Sequence, residues 1–326
     1  MRRDGRASVA LADFDPAVTT ERLVHGLRRA VSDLGRRGAV VAVSGGIDSA
    51  VVAALCARAL EPRRVLLLRL PEQVDGNRSA LLGLELAARL GTPTREEAIG
   101  PVLSALGCYS QQGEAVQAVF PDYQPGWPFK LVRSRPGRSP TYFSLVIERP
   151  DGRREARRMP TAAYRLMLSA TNEKQRVRTL ISYTWADRLH AVVAGTPNLL
   201  EFDQGFFVKG GDGLSDVKPI AGMYKQQVYA LGRHLQLPAA ILGRQPTTET
   251  FSLPQSQEEF YFGYPLEQMD LLLWGERHGV PVDELAARGR LSREEVLAGY
   301  AEVVRRRTAT AYLHAAPVLL DATQPV

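Results

Sequence analysis

The stretch "VVAVSGGIDSAVVAAL", residues 40–55, constrains the fold more than any other part of the chain. A short β-branched apolar run passes through a glycine-serine turn directly into an apolar segment of helical character. Such a strand–turn–helix unit presents backbone amides at a helix N-terminus, where they bind anions. The turn lacks the lysine that ends the commonest phosphate-binding loop. The sequence therefore predicts a phosphate site of a different type at the end of a buried strand.

Strand-like and helix-like segments alternate around this turn. The run "RRVLLLRLP" (63–71) predicts a second buried strand, and "SALLGLELAARLG" (79–91) predicts the helix that follows it. Residues 20–34 carry apolar side chains at helical spacing, which predicts an amphipathic helix with Thr19 or Thr20 as its cap. This alternation is typical of right-handed βαβ units, so we predict an α/β fold with a doubly wound parallel sheet flanked by helices.

The segment 108–160 breaks this alternation. It is rich in proline, glycine, aromatic residues and arginine, and turn signals such as those at Pro136 and Gly152 separate its apolar runs. That pattern predicts an antiparallel excursion of two or three strands. We interpret residues 1–326 as a single domain that carries this β-rich insertion.

Helical patterning returns after the insertion, between Ala162 and Asp187. A strand follows in "LHAVVAGT" and a further helix in "MYKQQVYALGRHLQL". The C-terminal region is predicted to be helical, because Ser292 and Glu295 have the spacing of a capping box. We find no internal repeat.

The composition excludes several classes of protein. Hydrophobic residues make up 45% of the chain and charged residues 23%, and no apolar run approaches the roughly 20 residues that span a bilayer. The N-terminus has no continuous apolar segment of the kind found in secretory signals. Two cysteines, Cys56 and Cys108, are too few for a disulfide framework, so we expect a cytoplasmic protein with no membrane association.

The basic residues favour a phosphate site over a nucleic-acid surface. The net charge of +6 comes from dispersed side chains, so we do not expect nucleic-acid binding. Only five of the 41 basic residues are lysines, and four of them lie within one stretch of about 50 residues. These four are Lys174, Lys209, Lys218 and Lys225. Because the compact lysine ammonium suits phosphate oxygens, this stretch is predicted to contribute to a polyphosphate site.

The glycine-serine turn itself has the side chains that a polyphosphate site needs. Its small residues let backbone amides approach a phosphate chain, its serines can donate hydrogen bonds, and Asp48 can hold Mg²⁺. The alternative interpretation is a tight structural turn with an aspartate near a helix N-terminus. The turn resembles the pyrophosphate-binding loop of the adenine-nucleotide α-hydrolases, a superfamily of ATP pyrophosphatases that cleave ATP to AMP and pyrophosphate.

A second segment makes the resemblance more specific. Residues 192–228, "VVAGTPNLLEFDQGFFVKGGDGLSDVKPIAGMYKQQV", contain Gly-Thr-x-Asn-x-x-Glu, Lys-x-Gly-Asp-Gly, Lys-Pro-Ile and Tyr-Lys-x-x-Val in that order. This series, with "NEKQRVR" upstream, is similar to the core of the ammonia-dependent NAD⁺ synthases. The resemblance covers roughly residues 20–100 and 165–275.

The resemblance implies a role for each matching residue. Contacts to ATP or pyrophosphate are implied for Ser44, Gly45, Gly46, Ser49, Thr196, Lys209, Lys225 and Thr247. Binding of the acid substrate is implied for Lys174, Arg176, Arg178 and Asp216. Asp48 and Glu201 would hold Mg²⁺. Catalytic roles fall to Lys209, Lys225 and Asp212, with Asp212 near the reacting centre, where the family positions or deprotonates ammonia.

The implied reaction has two steps. A carboxylate attacks the α-phosphate of ATP to form an acyl-adenylate and pyrophosphate, and ammonia then displaces AMP to leave an amide. The chain has no room for the glutaminase domain of larger family members, so ammonia would come from solution or from a separate glutaminase. Family members are homodimers, and we expect a homodimer here by analogy.

Three departures from the family pattern lie on the side that should recognise the acid. The sequence "RLPEQVDGNRS" (69–79) replaces Leu-Pro-Tyr-Gly-x-Gln-x-Asp, the insertion is longer than expected, and Gln175 and Thr179 replace alanine and methionine. Two enzymatic interpretations therefore stay open: NAD⁺ synthesis from nicotinic acid adenine dinucleotide, or amidation of a different carboxylic acid in specialised metabolism. A non-catalytic nucleotide-binding protein is disfavoured because Asp48, Glu201, Lys209 and Asp212 are retained.

Overall fold

Parallel strands and long helices build the body of the molecule. A computed structural model describes residues 13–72, 78–134, 142–247 and 250–320. Two predictions concern residues outside these ranges: most of the N-terminal stretch, which is predicted to lack a secretory signal, and the turn at Pro136. The strands of the described part are β1 Gly38–Ala42, β2 Val65–Arg69, β3 Thr94–Glu96, β4 Phe129–Arg133, β5 Phe143–Glu148, β6 Arg154–Arg158 and β7 Ala191–Val193.

The helices of the described part lie before, between and after these strands. They are α1 Pro16–Asp33, α2 Ile47–Leu60, α3 Arg78–Leu90, α4 Gly100–Ala105, α5 Cys108–Gln117, α6 Thr161–Leu189, α7 Leu199–Asp203, α8 Lys225–His234, α9 Ala239–Leu242, α10 Leu266–Arg277, α11 Val282–Gly289 and α12 Arg293–His314. A π-helical turn spans Glu258–Phe262. No helix within the described ranges is long and apolar enough to cross a membrane.

The central sheet has the parallel order β3-β2-β1-β7 across the part of the chain that the structure describes. Alternate residues of β1 point to opposite faces, as in any strand. Ala39 and Val41 pack with α1, α2, α3 and α8, whereas Val40 packs with α4, α5 and α6. Helices thus cover both faces, and the predicted doubly wound α/β architecture is confirmed.

The first helix begins earlier than the apolar periodicity predicts. Pro16 is its first residue, and the carboxylate of Asp15 accepts hydrogen bonds from the amides of Ala17 (2.8 Å) and Val18 (3.1 Å). Thr20 lies inside the helix, where its hydroxyl donates to the carbonyl of Pro16 (2.6 Å). The prediction of a threonine cap was wrong because an aspartate followed by proline is a stronger start signal.

The insertion is a three-stranded antiparallel sheet, among the described residues, in the order β4-β5-β6. Its inner face, formed by Leu131, Leu145 and Ile147, packs against α5 and α6. The first ten residues of the predicted β-rich segment instead form α5. Apolar periodicity does not indicate this helix, because part of its buried face is polar: Gln112 of α5 is buried against α6.

The C-terminal helices α10, α11 and α12 form a separate apolar cluster beside the central sheet. The predicted capping box at the start of α12 is confirmed: Ser292 accepts from the amide of Glu295 (3.1 Å), and Glu295 accepts from the amide of Ser292 (2.7 Å). The C-terminal region is therefore helical, as the sequence predicts.

A buried ionic cluster joins the insertion to the C-terminal helices. Glu302 of α12 accepts hydrogen bonds from Arg133 of β4 (2.6 Å) and from Arg306 (2.7 Å). All three side chains are nearly inaccessible, with relative exposures of 5–7%. Glu302 also pairs with the half-exposed Arg305 (2.6 Å). Because the two buried guanidinium groups have this one carboxylate in common, its charge offsets the cost of burying them.

We expect Glu302→Ala to lower the free energy of unfolding by about 3–5 kcal/mol, because it leaves Arg133 and Arg306 buried without their common partner. Denaturant-induced unfolding would measure the loss. The matched control is Glu284→Ala, which removes an exposed carboxylate paired with Arg288 on α11 and should cost no more than about 1 kcal/mol. Equal losses in the two variants would contradict the assignment.

Candidate active site

The turn between β1 and α2 has the geometry of an anion-binding loop. The hydroxyl of Ser49 accepts from the amide of Ser44 (3.3 Å) and donates to the carbonyl of Gly46 (3.1 Å), which closes the turn on itself. The turn lies at the carboxyl end of a central strand, where open α/β sheets bind their ligands. The helix α2 begins at Ile47, so the positive end of its dipole lies at the loop.

A side chain at Gly45 would strain this turn. Its φ of 72° lies in the left-handed region, and an added Cβ would lie 2.8 Å from Nη1 of Arg244 and 3.1 Å from the carbonyl oxygen of Ser79. Arg244 donates to the carbonyl of Ser44 (3.2 Å) and to the hydroxyl of Ser79 (2.9 Å). Arg244 was not predicted from the sequence, because it comes from a distant loop and no motif marks it.

Asp48, in the first turn of α2, is the centre of the polar contacts beside the loop. Its carboxylate forms an ion pair with Lys225, the first residue of α8, and accepts a hydrogen bond from the side-chain amide of Asn198 (3.1 Å). Lys225 is only 4% exposed. The structure therefore joins side chains that lie about 150 and 177 positions apart in the sequence.

Glu201 faces the same region from α7. One carboxylate oxygen accepts from the amide of Asn198 (3.1 Å) and the other from the side chain of Gln257 (3.0 Å). Burial, together with the nearby charge of Asp48, raises the pKa of Glu201 to about 7. Asn198 also caps α7 reciprocally with Glu201. The Asn-x-x-Glu spacing of a capping box could have identified this anchoring role from the sequence.

Lys225 remains a cation in this setting. Burial opposes its charge, but Asp48 and Glu201 raise the pKa of the ammonium above its ordinary value. Behind it, the fully buried Asp270 of α10 accepts a hydrogen bond from the amide of Gln226 (3.1 Å) in the first turn of α8. Asp270 thus holds the end of the helix that presents Lys225, and no sequence motif indicates this role.

Asp48 and Glu201 fit the chemistry of a magnesium site. Mg²⁺ uses one or two protein carboxylates and takes its remaining ligands from water and phosphate oxygens. The two carboxylates here repel each other, which is the charge arrangement that a divalent cation relieves. Over the described ranges no group of three or more His, Cys, Asp or Glu side chains could hold a metal ion by itself.

A single cleft of about 2010 Å³ contains most of the predicted site residues. Among those lining it are the loop residues Ser44, Gly46, Asp48 and Ser49, together with Thr196, Glu201, Asp212, Lys225 and Thr247. The insertion and the neighbouring loop add an aromatic wall, which includes Trp127, Phe129, Phe143 and Phe251. The cleft is large enough for a nucleotide and a second substrate.

Asp212 opens onto the cleft but is surrounded by protein atoms. Its carboxylate accepts from the amide of Val208 (2.8 Å), and burial raises its pKa to about 6. A carboxylate with this pKa accepts protons better than an ordinary aspartate and is still mostly ionised near pH 7.

The acid side of the cleft carries a carboxylate of its own. Glu72, one of the residues that departs from the family pattern, lies 3.0 Å from the ammonium of Lys174 and 3.7 Å from the guanidinium of Arg178. The hydroxyl of Tyr109 donates to the same carboxylate (3.3 Å). Two predicted acid-binding cations are therefore present in the cleft, each with an acidic neighbour.

Four predicted residues are not part of the cleft lining: Gly45, which belongs to the loop itself, and Lys209, Arg176 and Asp216. Lys209 donates to the carbonyls of Tyr312 and Ala315 (2.9 Å each) at the end of α12, and the exposed Arg176 contacts the carbonyl of Lys209 (3.5 Å). Asp216 accepts from the amide of Val193 (2.7 Å), which fixes it to the end of β7. Of the four clustered lysines, Lys225 is thus the one in direct contact with the loop aspartate.

Neither cysteine lies where it could act as a nucleophile. Both thiols are buried, and burial raises the pKa of Cys56 to about 12 and that of Cys108 to about 11. Cys108 donates to the carbonyl of Ala170 (3.2 Å). Both cysteines are therefore core residues.

Comparison with known proteins decides between the families that share such a loop. A family model described as NAD synthase matches residues 19–119 and 155–312. The chain belongs to this family. Residues 120–154, which include β4 and β5, fall outside the family match.

A curated relative agrees with this assignment, and two solved structures share the fold. The chain is 44% identical over 331 residues to the NH(3)-dependent NAD(+) synthetase of Rhizobium meliloti (strain 1021), with 100% of this chain and 99% of the relative covered. Its fold matches NMN synthetase from Francisella tularensis (TM-score 0.67, 21% identity) over 95% of this chain and 100% of that one. It also matches NH3-dependent NAD synthetase from Campylobacter jejuni (TM-score 0.63, 22% identity) over 94% and 100%.

We expect Gly45→Ala to destabilise the protein by about 1–2 kcal/mol, because alanine is strained in the left-handed region and its Cβ meets Arg244 and Ser79. Gly46→Ala is the matched control: Gly46 has a φ of −89°, and its added Cβ would approach only the Ser44 hydroxyl, at 3.3 Å. Denaturant unfolding of both variants measures the difference. A smaller loss in Gly45→Ala than in Gly46→Ala would contradict this geometry.

Asp270 predicts a specific pH dependence of stability. Burial raises its pKa from 3.8 to about 7 in the folded protein, so the folded state binds this proton more tightly than the unfolded state does. Its contribution to the free energy of unfolding therefore declines as pH rises from about 4 to about 7. Relative to wild type, Asp270→Asn should gain about 2–3 kcal/mol between pH 5 and pH 8 in denaturant unfolding. A constant difference across that range would refute the shift.

Proposed function

We propose that this protein is an ammonia-dependent NAD⁺ synthetase that adenylates the carboxylate of nicotinic acid adenine dinucleotide and then amidates it. The observation that carries the proposal is the convergence of Asp48, Glu201 and Lys225 on one phosphate-type loop. The relation to curated NH(3)-dependent NAD(+) synthetases supports this acid over a different carboxylic acid. The adenylation chemistry is common to both interpretations.

The loop residues account for the binding of ATP. The amides of Gly45 and Gly46 and the hydroxyls of Ser44 and Ser49 would donate to the phosphates, at the positive end of the α2 dipole. Thr196 and Thr247 line the cleft on the same side. Mg²⁺ held by Asp48 and Glu201 would neutralise charge on the phosphates.

The first step brings two anions together. An oxygen of the substrate carboxylate attacks the α-phosphorus, and the bond from that phosphorus to the bridging oxygen of the pyrophosphate breaks. Lys225 is held at the loop by Asp48 and would stabilise the negative charge that develops on the departing pyrophosphate. Lys209 would reach the phosphates only after leaving the carbonyls at the end of α12.

In the second step the nitrogen of ammonia attacks the acyl carbon, the carbon–oxygen bond to AMP breaks, and one proton leaves the nitrogen. Asp212 is our proposed acceptor for that proton, since its raised pKa and its position on the cleft suit a general base. Lys174 and Arg178 are the predicted acid-binding residues that line the cleft. Arg176 and Asp216 lie outside that lining, so we assign them only supporting roles.

We also propose that the protein is a cytoplasmic homodimer that uses free ammonia or ammonia from a separate glutaminase. Several large apolar side chains are exposed on the helices that cover one face of the sheet. They are Val102 of α4, Leu106 beside it, and Leu168, Leu180 and Leu189 of α6. An apolar surface of this kind supports burial against a second copy.

The decisive experiment incubates the purified protein with ATP, Mg²⁺, ammonium and nicotinic acid adenine dinucleotide. We expect NAD⁺, AMP and pyrophosphate in equal amounts. Pyrophosphate release with a different acid, but not with the dinucleotide, would establish the alternative amide ligase. Failure to bind ATP or to release pyrophosphate with any acid would refute both enzymatic interpretations.

Asp48→Ala and Glu201→Ala should each reduce pyrophosphate release by at least about 1000-fold, because each removes a carboxylate from the proposed metal site. A matched control is Glu21→Ala on α1, which removes an exposed carboxylate paired with Arg58. That variant should keep full activity. Circular dichroism and unfolding midpoints would verify that all three variants fold, and an active Asp48→Ala protein would refute the metal assignment.

A further inference from the structure

One edge of the inserted sheet lies against a cleft loop from a distant part of the chain. Residues 250–257, which we call the bridging segment, run alongside β4 and parallel to it. The amide of Leu253 donates to the carbonyl of Phe129 (3.1 Å), and the amide of Phe129 donates to the hydroxyl of Ser252 (2.9 Å). Further along, the side chain of Gln255 donates to the carbonyl of Leu131.

A lysine of the insertion strengthens this contact. Lys130 of β4 donates to the carbonyl of Pro254 (3.3 Å) and forms an ion pair with Glu259 (2.7 Å), just beyond the bridging segment. The Lys130 side chain is 12% exposed, so this pair is shielded from water more than an ordinary surface pair. Lys130 is the lysine that lies outside the stretch with the other four.

Burial and aromatic packing hold the bridging segment in the same position along β4. Leu253 and Gln255 are both only 3% exposed. The ring of Phe251 lies 5.8 Å from that of Phe129 and 5.6 Å from that of Phe260. The bridging segment is therefore held along its length by backbone, ionic and aromatic contacts to β4 and the π-helical turn.

The two ends of the bridging segment reach the candidate active site. At its start, the carbonyl of Thr250 accepts from the ammonium of Lys174 (2.9 Å). At its end, the side chain of Gln257 donates to Glu201 (3.0 Å). The contacts with β4 occupy the positions between these two ends.

We propose that the inserted strand β4 is a positioning element for the active site, which holds the bridging segment so that Gln257 stays in contact with Glu201. Lys130 and Ser252 are the positioning residues, and Gln257 connects the bridging segment to Glu201. The inference rests on the proposed function, because it takes Glu201 as part of the ATP–Mg²⁺ site. It assigns a role to a part of the chain that the family match leaves out.

The physical effect is preorganisation. If only a fraction of the molecules already has the loop in the binding-competent state, the apparent affinity for the ligand is the intrinsic affinity multiplied by that fraction. Contacts with β4 keep that fraction high. Once ATP is bound the segment is ordered in either case, so loss of the contacts should raise KM for ATP and leave kcat nearly unchanged.

The test compares wild type with the double variant Ser252→Ala/Lys130→Met. We expect amide exchange at Leu253 to become at least about 10-fold faster, since the segment opens locally. The KM for ATP and the Kd for Mg²⁺–ATP by calorimetry should rise about 10-fold, with kcat within about 2-fold. The conservative variant Lys130→Arg should retain near wild-type values because it keeps the charge beside Glu259.

Two further variants make the result specific. Arg154→Ala, on β6 at the opposite edge of the inserted sheet, removes an ion pair with Glu148 of β5 and should change none of these quantities. In a Gln257→Leu background the double variant should have a smaller effect on Kd, because coupled residues are not additive. If the double variant fails to fold, the single Ser252→Ala variant should show the same changes at smaller size.

Several outcomes would overturn the inference. They are unchanged exchange at Leu253, faster exchange with unchanged Kd for Mg²⁺–ATP, or the same Kd increase in the Gln257→Leu background as in wild type. Failure of the proposed function gives a different result: the wild-type protein would make no NAD⁺, whereas the exchange and ATP-binding comparisons could still be made.

Discussion

The ion pair between Asp48 and Lys225 is the interaction on which the candidate site depends. It joins the first turn of α2 to the first residue of α8, in a place where the lysine is almost fully buried. A charge buried to this extent requires close partners, and the side-chain amides of Asn198 and Gln257 bind the carboxylates that surround it. The geometry at the loop thus depends on α7, α8 and the bridging segment as well as on the loop's own sequence.

The elements nearest this ion pair were also the easiest to predict. The helix α2 directly follows the glycine-serine turn, as the apolar run predicts, and the family resemblance implies site roles for Asp48, Glu201 and Lys225, which the structure brings together. Short-range patterns succeed here because a strand, a tight turn and a helix follow one another without interruption. The start of α1 and the helix α5 differ from the prediction because an aspartate cap followed by proline, and buried polar side chains, override apolar periodicity.

Other parts of the site depend on contacts that a single sequence does not reveal. Lys209 matches a motif as well as Lys225 does, yet its partners are carbonyls more than 100 positions away at the end of α12. Asp270, Arg244 and Gln257 belong to no recognisable motif and act by supporting other residues. Motifs identify side chains that chemistry requires, whereas the residues that orient them are set by tertiary packing.

The Arg133–Glu302–Arg306 cluster has a consequence for how this protein could have acquired or lost its insertion. One of its arginines belongs to β4, whereas the carboxylate and the other arginine belong to α12. Removal of the inserted strand would change the charge balance inside a different part of the molecule. Exchange of the insertion between relatives should therefore require matched changes in the last helix, despite the separation of the two segments in the sequence.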